Sequence, residues 1–344
     1  MKCWMRLIGN TMPKLSIVIP NYNGGENLKR SIESCKAIQI SEDNYEILII
    51  DNKSTDNSVD IVNEMKKKFT NIRLIQNEKN VGRIQNWNTS IEKADGDYLI
   101  FLFANDLINE KNNVHEVIKK LDSDKTISIC ISALLKKEES KQYVKKAYFD
   151  DMVKCSAKKF ASNCLNRGLL PFGPIQSIIY RLEDIRSNKN KFLEEFPINA
   201  DEIFSFEETC KRENIMFNPN PQITWDLTQN RFHGKMKVED ELKEHSETIE
   251  IIKDKTKLDV NYGLISTYKA ISLIKFSTKN FQHKNGKKET ITHILSKIKD
   301  GGTFFNSDKI LIKTLFDKLK NSDTDADDLL HKLIITKSIN ESDG

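Results

Sequence analysis

The chain of 344 residues is longer than one small domain requires and suits a core of about 200 residues with an appendage, because single cores stop growing near about 250–300 residues. With 54 basic against 50 acidic side chains its formal charge is +4, too balanced for a dedicated nucleic-acid binder, and 38% hydrophobic with 30% charged residues describes a globular chain. The apolar runs at 15–20 and 98–103 have strand length, and the longer one at 263–276 is broken by Ser266, Lys269, Ser272 and Lys275, so nothing reaches the roughly 20 residues of a membrane span. The cysteines at 3, 35, 130, 155, 164 and 210 form no Cys-x-x-Cys pair, which predicts neither a zinc site nor a disulfide framework and fits a reducing cytoplasm. Lys2 and Arg6 are followed by no sustained apolar stretch, so no secretory leader is expected.

In chain order, residues 15–19 and 46–50 are nearly continuous β-branched and leucine runs, the pattern of strands buried on both faces of a parallel sheet, and 71–76 and 97–103 supply two more. Between them Leu28, Ile32 and Cys35, then Val62, Met65 and Phe69, then Ile84, Trp87 and Ile91 recur at helical spacing. The order β-α-β-α-β-α-β predicts an α/β fold with a mainly parallel sheet flanked by helices. From 114 to 158 the pattern blurs, although 126–135 reads as a strand. The Pro-Phe-Gly-Pro turn at 171–174 introduces a strand-like 175–180, helical spacing returns at 204–210, and a short strand is expected at 222–227. Beyond Lys235 the segments 238–257, 263–276, 290–299, 309–320 and 327–336 all have amphipathic helical spacing.

Ligands of open α/β sheets bind beyond the carboxyl ends of the strands, and the polar clusters sit there: 20–25 after the first strand, 51–56 after the second, 77–83 after the third and 104–106 after the fourth. Each cluster alone has an ordinary explanation as a helix cap or turn. Their joint placement at four successive strand ends makes one polar site. No Gly-x-Gly-x-x-Gly follows the first strand and no Gly-x-x-x-x-Gly-Lys-Ser/Thr occurs, so a dinucleotide fingerprint and a P-loop are both missing.

Four stretches in order, Ser16-Ile-Val-Ile-Pro-Asn-Tyr-Asn23, Glu46-Ile-Leu-Ile-Ile-Asp-Asn-Lys-Ser-Thr-Asp56, Asn80-Val-Gly-Arg83 with Asn86-Trp-Asn88, and Ala94-Asp-Gly-Asp-Tyr-Leu-Ile-Phe-Leu-Phe-Ala-Asn-Asp106, resemble the motifs of family 2 glycosyltransferases of the GT-A fold. The resemblance is close from Lys14 to about Asn109, continues more loosely through Gly173, Gln176, Ser177 and Asp201 to His233, and does not include the last hundred residues. It implies a GT-A nucleotide-diphospho-sugar transferase fold over 13–234, with a C-terminal helical region over 235–337 and a flexible tail over 338–344.

The resemblance further implies an inverting transfer of a sugar from a nucleotide-diphosphate donor, a UDP-sugar, to an acceptor hydroxyl in the synthesis of a surface polysaccharide or related glycan, with a glycan or lipid-linked glycan as acceptor. Pro20 and Tyr22 would pack along base and ribose, Asp51 would accept from the uracil N3–H with Asn52 assisting, Gly82 would admit the nucleotide, Arg83 would reach the diphosphate, and Asn105 would complete the nucleotide side. Asp106 matches the last carboxylate of the family's Asp-x-Asp-type motif, which holds Mn²⁺ or Mg²⁺; Phe103 and Asn105 stand where many members carry aspartates, leaving one anionic ligand. His233 would complete the metal or phosphate site. Asp201 matches the catalytic base, with Glu202 as the neighbouring alternative, and Gln176, Ser177 and Glu202 would line the acceptor side.

Among the C-terminal helices, Lys275, Lys279, Lys284, Lys287, Lys288, Lys297 and Lys299 would suit an anionic lipid at the inner face of the cytoplasmic membrane, giving peripheral membrane association, or an acidic glycan; a solvated helical face is the plainer reading. The rival function is a catalytically silent nucleotide-sugar-binding or scaffold protein, favoured by the thin Phe-Ala-Asn-Asp motif.

Overall fold

The computed structural model describes residues 14–138, 142–146, 148–166, 169–229, 238–258 and 335–336. The chain divides into two units, Met1–Lys154 with Phe172–Lys235, and Cys155–Pro171 with Met236–Gly344.

The first unit is built on β1 (Leu15–Asn21), whose Leu15, Ile17, Val18 and Ile19 are fully buried. Each such side chain contributes roughly 1.5–3 kcal/mol of transfer free energy. After α1 (Gly25–Ser34), β2 (Tyr45–Asp51) pairs parallel to β1; after α2 (Ser58–Met65), β3 (Ile72–Gln76) pairs parallel to β2; and after α3 (Arg83–Lys93), β4 (Tyr98–Phe101) pairs parallel to the other side of β1. The helices bury the faces their spacing predicts: Leu28 and Ile32 of α1, Val62 and Met65 of α2, Ile84, Trp87 and Ile91 of α3.

The short β5 (Leu107–Ile108) and α4 (Val114–Ser123) lead into β6 (Ile127–Lys137), which turns back as β7 (Gln142–Lys145). A short β8 (Val153–Ser156) ends this stretch. In the second unit α5 (Ala157–Asn166) buries Phe160, Ala161, Cys164 and Leu165. The first unit resumes with β9 (Ile178–Arg181), α6 (Leu182–Asn188), α7 (Ala200–Thr209) and β10 (Asn214–Asp226).

The strand order is β3-β2-β1-β4-β9-β6-β10-β5. The β3-β2-β1-β4 and β6-β10 pairings are parallel, as the sequence predicted, while β9 lies between β4 and β6 and runs against both, and β5 and β7 are also antiparallel to their partners. A four-residue apolar strand such as β9 reads the same in either direction, so its polarity is invisible in the sequence. Two reversals restore direction, so β6 and β10 run with β1, and the end of β10 lies on the same sheet edge as the ends of β1 and β2.

In the second unit α8 (Val238–Thr256) occupies the expected helix at 238–257. The helices expected at 263–276, 290–299 and 309–320, nearly all of 327–336, the lysine-rich stretch and the tail at 338–344 lie outside the described residues. No helix among the described residues is long and apolar enough to cross a membrane.

Candidate active site

The ends of β1 and β2 meet in register at Asn21 and Asp51. Asp51 is buried; its Oδ1 accepts from Asn21 Nδ2 (2.9 Å) and Ser54 Oγ (2.5 Å), and its Oδ2 from the Ser54 amide (3.0 Å). Asn52 organises the next loop: its Oδ1 takes Asn77 Nδ2 (3.0 Å) and the Val81 amide (2.9 Å), while its Nδ2 donates to Asn80 Oδ1 (2.9 Å) and the Gly82 carbonyl (3.3 Å). Gly82 has φ +83°, a region in which glycine alone is unstrained, and no atom lies within 4 Å of where its Cβ would be. Tyr22, the residue after β1, is half exposed, and Pro20 lies within the end of that strand. Asp51 and Asn52 therefore spend much of their hydrogen-bonding capacity on building these loops.

Arg83, the first residue of α3, lies over the Trp87 ring at 5.0 Å and donates to the Pro197 carbonyl. Trp87 in turn contacts Phe103 (5.3 Å between centroids) and Phe192 (5.3 Å). Phe103 thus joins an aromatic cluster.

Asp106 is 0% exposed. Its Oδ1 accepts the Asp226 amide (3.2 Å) and its Oδ2 accepts Gln176 Nε2 (3.1 Å), while the Ser31 hydroxyl of α1 donates to its carbonyl (2.6 Å). Burial pushes its carboxyl well above the usual range, and the nearby Asp226 charge adds to this. Asn105 Nδ2 is committed to the Asp226 carbonyl (2.9 Å). Asp226 was not singled out by the sequence analysis; burial would raise its carboxyl, but two Thr228 bonds, Lys137 and Arg30 (both 3.6 Å) hold it below the usual value. An acid closing an expected strand was the signal available.

A hard cation takes open oxygen ligands. Asp106 offers none to solvent, both of its oxygens hold an N–H donor, and among the described residues no group of three His, Cys, Asp or Glu side chains is placed to hold a metal. As these side chains are placed, Asp106 presents no open oxygen to the expected Mn²⁺ or Mg²⁺. His233 lies outside the described residues.

The third cluster is at the start of α7. Asp201 is partly exposed whereas Glu202 is buried, and Glu202 accepts the Phe172 amide at Oε2 (2.9 Å) and the Gly173 amide at Oε1 (2.6 Å). A Cβ on Gly173 would lie 2.9 Å from Glu202 Oε1 and 3.1 Å from Asp201 Oδ2, so the turn packs directly on both acids. Burial raises both carboxyls; Lys146 and then Arg83 pull Asp201 back down, while the Asp201 charge raises Glu202 further. Gln176 and Ser177 are both buried, the first against Asp106 and the second accepting from Lys146 Nζ (3.1 Å).

The structure thus links the expected residues: Asp106 to Gln176, the adjoining Ser177 to Lys146, Lys146 and Arg83 to Asp201, and Arg83 through Gly82 to Asn52 and Asp51. Lys146 was missed because a lysine after a polar strand carries no sequence signal that distinguishes it from a solvated one.

Residues 16–184 match the family model described as Glycosyl transferase family 2. A poly(ribitol-phosphate) beta-glucosyltransferase of Bacillus spizizenii is 36% identical over 99 residues, 28% of this chain and 16% of that enzyme. The chain spans less than half the length of the curated relatives it matches. Among solved structures, S. aureus TarS 1-349 in complex with UDP-GlcNAc superposes with a TM-score of 0.62 at 15% identity, over 95% of this chain and 92% of that one. The Pyrobaculum calidifontis mannosyltransferase in complex with GDP-Man and Mn²⁺ gives 0.53 at 12% identity, over 96% and 87%. These likenesses establish the GT-A fold.

Proposed function

Because residues 16–184 belong to glycosyl transferase family 2, we propose that this chain transfers a sugar, with inversion, from a nucleotide-diphosphate donor to a hydroxyl of a surface polysaccharide or related glycan. The observation that carries this reading is the division of labour between adjacent acids: Glu202 is buried and committed to two backbone amides, whereas Asp201 is partly exposed, with two cations acting on it. A base must sit within reach of the proton it removes, with a pKa near the working pH. Burial raises the Asp201 carboxyl above its ordinary value, and Lys146 and then Arg83 draw it back down.

In the reaction the acceptor oxygen attacks the anomeric carbon on the face opposite the diphosphate. Asp201 takes the hydroxyl proton, the new C–O bond forms as the bond to the diphosphate breaks, and the nucleoside diphosphate leaves with the electron pair. Arg83, which opens α3 directly after Gly82, would meet the charge that develops on the departing phosphate. Pro20, Tyr22, Asp51, Asn52 and Gly82 form the nucleoside cradle, and the UDP-GlcNAc bound by TarS favours a UDP-sugar donor. Gln176 and Ser177 act from behind the site wall, as buried supports of Asp106 and Lys146. The poly(ribitol-phosphate) relative favours a polyol-phosphate or similar glycan acceptor, met at the inner face of the cytoplasmic membrane.

The test is incubation of the full chain with a panel of UDP- and GDP-sugars and with teichoic-acid-type and glycan acceptors, followed by UDP or GDP release and product mass. Acceptor-dependent release from a UDP-sugar is expected. Tight UDP-sugar binding with no transfer to any acceptor would favour the silent binder.

A further inference from the structure

Lys146 directly follows β7 with φ +60°, in the left-handed region that side-chain-bearing residues seldom occupy, and is only 8% exposed. Lysine is almost never this buried unless paired, because stripping an ammonium of water is costly. Its Nζ donates to the Phe172 carbonyl (2.9 Å) and to Ser177 Oγ (3.1 Å), at the two ends of the 172–177 turn. The Phe172 and Gly173 amides of this turn donate to Glu202. The turn is therefore held between an ammonium on its carbonyl and a carboxylate on its amides, and its Gly173 packs against both Asp201 and Glu202.

We infer that Lys146 is a positioning residue for the transfer reaction: its ammonium clamps the 172–177 turn against the Asp201–Glu202 pair and balances that pair's negative charge. The inference rests on the reading of Asp201 as the base. The charged and titratable groups acting on or facing Asp201 are Lys146, Arg83, Glu202 and the Tyr180 phenol, which is buried and bonded to Ser205. Arg83 has its own attachments, over Trp87 and on the Pro197 carbonyl, which leaves Lys146 as the cation built into the turn beneath the acids. A side chain that merely filled space here would be a methionine, which has similar length and no desolvation cost. If Lys146 only filled space, its replacement by methionine would leave the titration of Asp201 unaltered.

The experiment compares full-length wild type, K146Q (a donor without charge), K146M and K146R. It reads the pH dependence of kcat/KM, the ¹³C titration of the Asp201 carboxyl, assigned by its loss in D201N, and UDP affinity. In K146Q and K146M the Asp201 titration and the acid limb of kcat/KM should move up by about one pH unit, a tenfold loss of the ionised base below that limb. K146R should restore most of this, and UDP affinity should change by less than about twofold. A folded K146Q with an unmoved Asp201 titration overturns the inference. A moved titration in a protein that transfers no sugar at any pH supports the Lys146–Asp201 coupling and overturns the transferase reading instead. If neither K146Q nor K146M folds, S177A, which removes one of the two ammonium acceptors, should move the titration the same way by less; an unmoved titration there overturns the inference.

Discussion

The Glu202 carboxylate lies 2.6 Å from the Gly173 amide nitrogen, so the second acid of the Asp201–Glu202 pair is fastened to the turn, while the first, partly exposed, accepts the Glu202 amide at Oδ1 (3.0 Å). The two should separate cleanly on substitution. D201N should lower transfer by about 10²–10⁴-fold with UDP affinity nearly intact. E202Q sets an amide against backbone N–H groups and should cost about 1–3 kcal/mol of stability with a much smaller effect on rate. Steady-state kinetics, calorimetry with UDP and urea unfolding measure the three quantities; wild-type turnover in D201N would move the base role to another group.

The nucleoside cradle makes a second prediction. Asp51 ties Asn21 at the end of β1 to Ser54 beyond β2, and it is the group expected to meet the base. UDP should bind more tightly than GDP or ADP, and D51A should weaken UDP and erase that preference together. Equal calorimetric affinities for all three diphosphates in the wild type would remove the uridine assignment.

Asp106 permits a test of geometry against charge. Burial favours its neutral form, and Gln176 Oε1 is buried without a hydrogen-bond partner. A flipped Gln176 amide could then accept from the amide of D106N, so D106N should keep wild-type stability to within about 1 kcal/mol, whereas D106A leaves the Asp226 N–H and Gln176 unpaired and should lose about 1–3 kcal/mol. Denaturation midpoints distinguish the two. Activity lost in a fully stable D106N would mean that the chemistry uses the charge.

Glu208 sets a pH dependence of stability. Burial lifts its carboxyl to about 7, against the hydrogen bond from Asn190 (2.8 Å). A carboxyl raised in the folded state stays protonated where the unfolded chain has ionised, so the stability it carries is whole below about pH 4.5 and is lost as pH rises through about 7, at up to roughly 1.4 kcal/mol per unit. E208Q keeps an acceptor for Asn190 and cannot ionise. It should gain about 1–3 kcal/mol on wild type between pH 5 and pH 8; an identical difference at both pH values would refute the assignment.

The first half of the fold was legible because β1 and β2 are seven-residue strands of nearly continuous apolar side chains, the helices between the first four strands have clear spacing, and the strand-end motifs follow directly from them. β10 was foreshortened to 222–227 because Pro219 and Pro221 interrupt the run. In the structure the strand continues through them with a shift of register between Asn218 and Ile223, the kind of irregularity where a sheet tolerates proline. The mixed polarity of the sheet was hidden for another reason, since β9 carries four buried residues and no directional mark. At the site, Asp201 and Asp106 were visible as motif residues, but their surroundings were not. Gln176 and Asp226 reach Asp106, and Lys146 reaches the turn that packs on Asp201, from strands and turns distant in sequence, and only tertiary contact reveals which lysine is buried and which acid is capped.

Trp87 has a use beyond packing. It is 8% exposed, faces Phe101, Phe103 and Phe192, and carries the Arg83 guanidinium over its ring at 5.0 Å. An indole under a cation emits differently once that cation is withdrawn, so a diphosphate that draws Arg83 from the ring should change its fluorescence in a single step. Only Trp4 and Trp225 need be replaced to isolate the signal. Stopped-flow mixing of W4F/W225F with UDP would then time donor arrival optically, with no label attached and no sugar transferred.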